Sequence, residues 1–127
     1  MKIFAEISVG ELIDKITILE IKLVHIVDEG KRRNVARELE ALAKACPPEA
    51  ATSETARLRS ELKLVNGELW RIEDNIRAHE RAQTFDAEFI ALARSVYKIN
   101  DSRAALKREI NILTESDLVE EKSYQSY

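Results

Sequence analysis

Residues 58–76 read LRSELKLVNGELWRIEDNI, and this stretch is the clearest guide to the fold. Its apolar side chains recur at alternating steps of four and three, a spacing that keeps them on one side of an α-helix and is typical of helices packed side by side. These apolar positions are Leu58, Leu62, Val65, Leu69, Ile72 and Ile76. The stretch therefore predicts a long helix, over about residues 53–82, that lies along another helix.

The residues before this stretch predict a first long helix. Ser8 is followed three residues later by Glu11, which is the spacing of a capping box, in which the hydroxyl accepts from a free backbone N–H and the Glu reaches back. We therefore expect a helix over about residues 9–28, with Gly30 as a natural stop.

Two more helices complete the expected set. A shorter one, over about residues 32–45, should end at Pro47, because proline cannot continue a helix. Asp86 is a suitable N-cap for a last helix over about residues 86–113.

The expected fold is all-α: an antiparallel bundle of three long helices and one shorter helix, in a single domain over residues 1–127. Residues 1–8 should form an extended arm and residues 114–127 a tail. Helices of about 40 Å are longer than a compact domain of this size needs, so they leave apolar surface uncovered. We therefore expect a homodimer whose long helices pair, as in a coiled coil, across a two-fold axis.

Composition limits the compartment and the partners. The net charge is −3, and Lys and Arg are scattered along the chain, which argues against nucleic acid as a partner. No stretch approaches the roughly 20 apolar residues that span a membrane, and the first residues lack the order of a signal peptide. The single cysteine, Cys46, cannot form an internal disulfide, so we expect a reduced, cytoplasmic setting.

Two charges interrupt stripes that are otherwise apolar. Glu20 lies in a stripe of the first helix and Arg103 in a stripe of the last one. An ionised side chain buried alone costs several kcal/mol, so we expect Glu20 and Arg103 to pair inside the bundle. Such a pair would either fix the register of the helices or line a polar pocket, and the pattern leaves both roles open.

Polar side chains at steps of three and four lie beside this stripe on the last helix. Arg and Lys together with Asn are suited to hold a carboxylate or a phosphate. The candidate ligand-binding residues are Glu20, Asn100, Asp101, Arg103, Lys107 and Asn111. Glu20 or Asp101 would be the acid or base if the site were catalytic, and whether the protein is an enzyme stays undecided.

Metal sites and cofactors are not expected. A di-metal site in a helical bundle needs Glu-x-x-His pairs, and neither His25 nor His79 has Glu three residues before it. The sequence also has no Gly-rich phosphate loop and no zinc-binding spacing.

A second surface is expected around Trp70, which lies away from the apolar seam among charged residues and is suited to a contact surface or to burial under the tail. We expect the tail to cover it, with Tyr124 as a lid. The candidate residues for partner or tail contact are Trp70, Glu73, Asp74, Arg77, Lys122 and Tyr124.

Four ungapped stretches resemble a family of small, mainly bacterial proteins of unknown function. They are SVGELIDKITILEIK at 8–22, LWRIEDNIR at 69–77, FDAEFIALARSVYKINDSRAALKREIN at 85–111 and LVEEKSY at 118–124. The resemblance brings no reaction with it. It implies that the charged residues around Trp70, those around Arg103 and the EEKSY tail belong to one shared design.

Two functions remain open at this point. The first is a dimeric helical interaction module. The second is the binding of a small anionic metabolite, such as a carboxylate, a phosphate or a sugar nucleotide, by a protein that would act without a metal if it were an enzyme. The two differ in whether Arg103 packs dry or borders a pocket of roughly 300 Å³ or larger.

Overall fold

The computed structural model describes all 127 residues and contains four α-helices and no strand. The helices are α1 (Val9–His25), α2 (Glu29–Ala45), α3 (Ser53–Ala82) and α4 (Ala87–Leu113), and a single 3-10 turn covers Pro48–Ala50. The all-α prediction is confirmed. The expected set of three long helices and one shorter helix was wrong, because α1 ends early and α2 starts early, so that both have 17 residues. No helix combines the length and the apolar character needed to cross a membrane.

The helix starts follow the expected capping chemistry. Ser8 Oγ accepts from the backbone N–H of Glu11 at 3.1 Å, and Asp86 Oδ1 accepts from that of Phe89 at 3.0 Å. Each of these oxygens takes one of the N–H groups that a helix start leaves without a partner. The Glu11 carboxylate binds Lys107 Nζ at 2.6 Å, so it is engaged in a contact between helices.

The prediction for the junction between α1 and α2 was wrong. We expected α1 to continue to about Asp28 and Gly30 to stop it, but α1 ends at His25 and Gly30 lies inside α2. The Asp28 carboxylate accepts from the backbone N–H of Lys31 at 2.9 Å, which starts α2 earlier than expected. The Arg32 guanidinium donates to backbone carbonyls at the end of α1 and closes the corner.

The core lies where α1 meets the first half of α3 and the second half of α4. α1 packs against the other three helices, and α3 and α4 pack against each other. Ile13, Leu58, Leu62 and Ile110 form the buried cluster together with Ala50 from the 3-10 turn. Leu62 and Ile110 are 0% exposed, so this end of the α3–α4 pair is closed.

The seam predicted on α3 faces inward along its whole length, but burial decreases along it. Leu58, Leu62 and Ile72 are buried, while Val65, Leu69 and Ile76 are half-buried. No residue between Ile72 and Lys107 is buried, and this is the longest stretch of the chain without a buried residue. We call residues 73–99, which include the α3–α4 turn, the distal hairpin.

The chain ends have no helix or strand. Residues 1–7 are exposed, and Ile3 and Phe4 are 83% and 92% exposed. The tail after α4 returns along that helix, where Arg108 binds Glu121 at 2.8 Å and Tyr127 donates to Asp101 at 2.6 Å.

Candidate functional site

The expected pairing of Glu20 with Arg103 was wrong. Glu20 accepts from Arg59 Nη2 at 2.6 Å and from Lys63 Nζ at 2.7 Å, both on α3. Arg103 instead binds Asp14, six residues and about 1.7 turns nearer the start of α1. The reason is geometric: α1 lies against α3 and α4 at once, so Glu20 meets cations of α3, whereas Asp14 lies where α3 and α4 both reach it.

The pair formed by Asp14 and Arg103 is the centre of a buried polar cluster. Arg103 Nε lies 2.9 Å from Asp14 Oδ1, and Nη2 lies 2.5 Å from Oδ2, which is the two-pronged geometry that makes such pairs strong. Asn66 Nδ2 donates to Asp14 Oδ1 at 2.9 Å and to Thr17 Oγ1 at 3.0 Å. We call Asp14, Thr17, Asn66 and Arg103 the polar cluster; it joins α1, α3 and α4.

The polar cluster satisfies its own hydrogen bonds. Thr17 donates to the backbone carbonyl of Asp14 at 2.8 Å, and no buried side-chain nitrogen or oxygen of the protein lacks a partner. The hydrogen bond to Asp14 raises the pKa of Arg103 above its ordinary value, in spite of the opposing effect of burial. Arg103 is therefore always charged, and the Asp14 carboxylate accepts hydrogen bonds from both Nε and Nη2 of Arg103.

Lys107 is also held by carboxylates. Its side chain is 9% exposed, and its Nζ donates to Glu11 at 2.6 Å and to Glu120 of the tail at 2.9 Å. Burial alone would lower the pKa of Lys107, but the two carboxylates raise it above its ordinary value. The hydrogen bond from Lys107 in turn lowers the pKa of Glu120. The Glu120 carboxylate thus occupies the position beside Lys107 Nζ that an anionic ligand would need.

The start of α1 is joined to the end of α4. The backbone N–H of Gly10 donates to Asn111 Oδ1 at 2.7 Å, and that of Val9 donates to Ser116 Oγ at 3.1 Å. A β-carbon at Gly10 would collide with the backbone carbonyl of Lys107 and would lie 2.9 Å from Asn111 Oδ1. Only glycine permits this approach, and it brings Glu11 within reach of Lys107.

An open groove of about 1000 Å³ lies between α4 and the tail. Asn100 and Asp101 line it from α4, and Lys122 and Tyr124 line it from the tail. The rings of Tyr97 and Tyr127 meet edge to face at one end, 5.1 Å apart, on residues that also line the groove. Arg103 does not line the groove.

The six candidate ligand residues are therefore not brought into one pocket. Asn100 and Asp101 line the groove, whereas Lys107 and Asn111 border a cavity of only about 20 Å³. Glu20 lines a separate pocket of about 420 Å³ together with Arg59, its own partner.

The expected cover over Trp70 was also wrong. Trp70 stacks on His25 at the end of α1, with ring centroids 5.0 Å apart and planes 17° from parallel. The tail lies on α4 instead, and Tyr124 is 81% exposed.

The other candidates for partner or tail contact are dispersed. Glu73 and Arg77 form an exposed pair on α3, 3.6 Å apart, and Asp74 is exposed beside them. Lys122 and Tyr124 line the groove on α4. The structure does not bring these two groups together.

Sequence reasoning missed Asp14, Thr17 and Asn66. A signal was present: α1 has apolar residues at both 12 and 13 and again at 16 and 19, which is too wide for one stripe. A helix with such a broad apolar face is covered on more than one side, and polar residues between the stripes are then buried too.

Comparison with known proteins gives a family but no activity. No curated protein and no solved structure matches the chain. Over residues 1–127 the sequence matches the family described as a family of unknown function (DUF6165). The chain therefore belongs to the DUF6165 family.

Proposed function

We propose that this protein is a helical interaction module that acts as a homodimer, and that the distal hairpin is the surface on which the second copy packs. The observation that carries the proposal is the amount of surface that one chain leaves exposed. A compact monomer of 14.5 kDa is expected to expose about 6900 Å². This chain exposes 9069 Å².

The difference of about 2200 Å² exceeds what a stable interface needs, since a typical one buries about 800 Å² on each partner. Much of the exposed surface is apolar: 16 large hydrophobic residues are exposed, against 11 hydrophobic residues that are buried. Scattered exposed hydrophobic residues are normal, and eight of the 16 lie in the arm and the tail. Three others, Phe85, Ile90 and Tyr97, lie in the distal hairpin and are the ones that a second copy would cover there.

The distal hairpin is the best candidate for that surface because it consists of two helices that project beyond the buried core. Two helices alone cannot bury both of their sides, and residues 73–99 contain no buried residue. On α4, Ile90 and Tyr97 are 55% and 42% exposed and lie seven residues apart, on the same face of the helix. Phe85, in the turn, is 51% exposed.

A second hairpin packed on this face would give four helices around a shared apolar seam, the arrangement of antiparallel helical bundles. In that assembly residues 1–127 act as one domain, with the core around Leu62 and the polar cluster holding each protomer. The unpaired Cys46 fits a reduced compartment such as the cytoplasm.

Binding of a small anion is less well supported. Arg103 and Lys107 were the expected anion clamps, and both already bind carboxylates of the protein itself. Neither borders a pocket of the expected 300 Å³, because the groove is lined by their neighbours and the cavity at Lys107 is about 20 Å³.

The test is the mass of the protein in solution, measured by light scattering after size-exclusion chromatography. The wild type should have twice the mass of the 14.5 kDa chain at micromolar concentration. Ile90→Lys should give a monomer, because the new charge would be buried against the second copy. The same change should cost the monomer little, because Ile90 is largely exposed in it.

The matched control is Val24→Lys, which places the same charge at a 77% exposed position on α1, outside residues 73–99. It should remain a dimer. A monomeric wild type, or a dimer that Ile90→Lys leaves intact, would overturn the proposal.

A further inference from the structure

We infer that His79, Asp86 and Glu88 form a binding site for a divalent transition-metal ion, with Zn²⁺ as the best fit. The site lies at the tip of the distal hairpin, where α3 ends and α4 begins, and all three ligands come from one chain. One nitrogen of His79 and one carboxylate oxygen from each of the other two residues lie within 4.8 Å of one another.

The imidazole is oriented before any ion binds. His79 Nδ1 lies 2.9 Å from the backbone carbonyl of Asn75, one helical turn earlier, and that carbonyl can only accept a hydrogen bond. Nδ1 therefore carries a proton, and the lone pair of the neutral ring is on Nε2. A hydrogen bond of this kind fixes the tautomer of many metal-binding histidines.

Nε2 faces two negative charges without a hydrogen bond. It lies 3.6 Å from Asp86 Oδ1 and 3.7 Å from Glu88 Oε2, which is too far for a hydrogen bond. In the neutral ring, the Nε2 lone pair beside two carboxylates is repelled by both; a proton on Nε2 relieves this repulsion, and so does a metal ion bound by all three side chains. The His79 side chain is 16% exposed, whereas those of Asp86 and Glu88 are 51% and 75% exposed, so the imidazole is held in place and the two carboxylates can approach an ion from the solvent side.

The spacing fits a tetrahedral ion. Zinc–ligand bonds of about 2.0–2.2 Å place the ligand atoms at two corners of a tetrahedron about 3.3–3.6 Å apart. The two separations from Nε2, 3.6 and 3.7 Å, would need shifts of only a few tenths of an ångström. The two carboxylate oxygens lie within 4.8 Å of each other, and rotation of the exposed Glu88 side chain would bring them to the same spacing. One imidazole and two carboxylates leave a fourth position for water.

The turn positions the ligands. Gln83 takes the left-handed conformation, with φ at 54°, and the backbone N–H of Thr84 donates to the carbonyl of His79 at 3.0 Å, which ends α3 and turns the chain into α4. Phe89 packs beside the imidazole, with ring centroids 6.1 Å apart, and shields it from water. Sequence reasoning missed the site because it searched for ligands on one helix, whereas these residues come from two.

Isothermal titration of chelator-treated protein with Zn²⁺ tests the inference, and Co²⁺ absorbance reports the coordination number. We expect one ion per chain, and the visible absorption of four-coordinate Co²⁺. Glu88→Gln should weaken binding by about tenfold or more without affecting the fold, because Glu88 is 75% exposed and makes no hydrogen bond.

Two further variants separate binding from folding. Asp86→Asn should also weaken binding by about tenfold or more, while keeping the cap on α4, because Asn caps helices as well as Asp does. His79→Gln should remove the site.

The controls are His25→Gln and Cys46→Ala, which remove the other histidine and the one cysteine. Both should bind Zn²⁺ as the wild type does. No saturable binding by the wild type, or affinity that changes with His25 or Cys46 and not with Glu88, would overturn the inference.

Discussion

Replacing Arg103 with Met should destabilise the fold strongly, because it leaves the Asp14 carboxylate buried without its cation. Asp14 is 0% exposed and would keep only the hydrogen bond from Asn66. Removing one partner of a buried ion pair typically costs about 3–5 kcal/mol. The Arg103 side chain is 27% exposed, so some water can reach the space it leaves, and we expect the lower end of that range, about 3 kcal/mol.

That cost should be visible as a fall in the melting temperature. Unfolding entropy of about 2.1 cal/mol/K per residue gives about 0.27 kcal/mol/K for 127 residues. A loss of about 3 kcal/mol then lowers the melting temperature by about 11 °C. The measurement is thermal unfolding followed by circular dichroism, with urea unfolding as an independent measure of the free energy.

Arg108→Met is the matched control, since Arg108 lies on the same helix. It pairs only with Glu121, and the two side chains are 49% and 72% exposed. Exposed pairs contribute less than about 1 kcal/mol, so this variant should melt within about 4 °C of the wild type.

Adding Asp14→Asn to the Arg103→Met variant should recover part of the loss, because the neutral amide still accepts from Asn66 and carries no buried charge. The reasoning is refuted if Arg103→Met costs no more than Arg108→Met, or if the double variant is no more stable than the single one.

Two more outcomes follow from the contacts of α4. Gly10→Ala should lower the free energy of unfolding in urea by about 1–3 kcal/mol, because the new methyl group meets the backbone carbonyl of Lys107. Gly67→Ala should raise it by up to about 1 kcal/mol, because only a side chain lies near the new methyl group, 3.9 Å away. Equal effects of the two variants would contradict this reasoning. The pKa of Glu120 lies below its ordinary value of 4.5, so its contact with Lys107 should stabilise the docked tail above that pH and be lost as the pH falls through the lowered pKa. NMR signals of the tail should move to disordered positions on acidification, and a Glu120→Gln variant should show that state already at neutral pH.

The helices of this protein could be predicted because they follow from local chemistry. The seam from Leu58 to Ile76 needs only its own spacing to be recognised, and Ser8 and Asp86 cap their helices with their own side chains. The end of α1 was predicted wrongly because Gly30 is tolerated in the first turn of the next helix, which the Asp28 side chain caps. Where α1 ends therefore depends on two local signals of similar strength, Gly30 as a helix stop and Asp28 as a helix cap.

The partners of the buried charges could not be predicted in the same way. Glu20 and Arg103 are the charges that interrupt the two stripes, but which side chains meet depends on how α1 lies across α3 and α4. That crossing is set by the contact between Gly10 and α4, a feature of three-dimensional packing. Asp14 was missed because a carboxylate beside an apolar stripe has the same pattern whether it faces water or a second helix.

Amide hydrogen exchange at two protein concentrations tests most directly the claim that the distal hairpin is covered by a second copy. Each protomer's own contacts protect the core around Leu62 and the polar cluster, so exchange there should be slow at both concentrations. Exchange of residues 73–99 should slow markedly at the concentration at which the dimer forms. If these residues exchange equally fast at both concentrations, and the mass stays that of one chain over the same range, a second copy does not cover the distal hairpin.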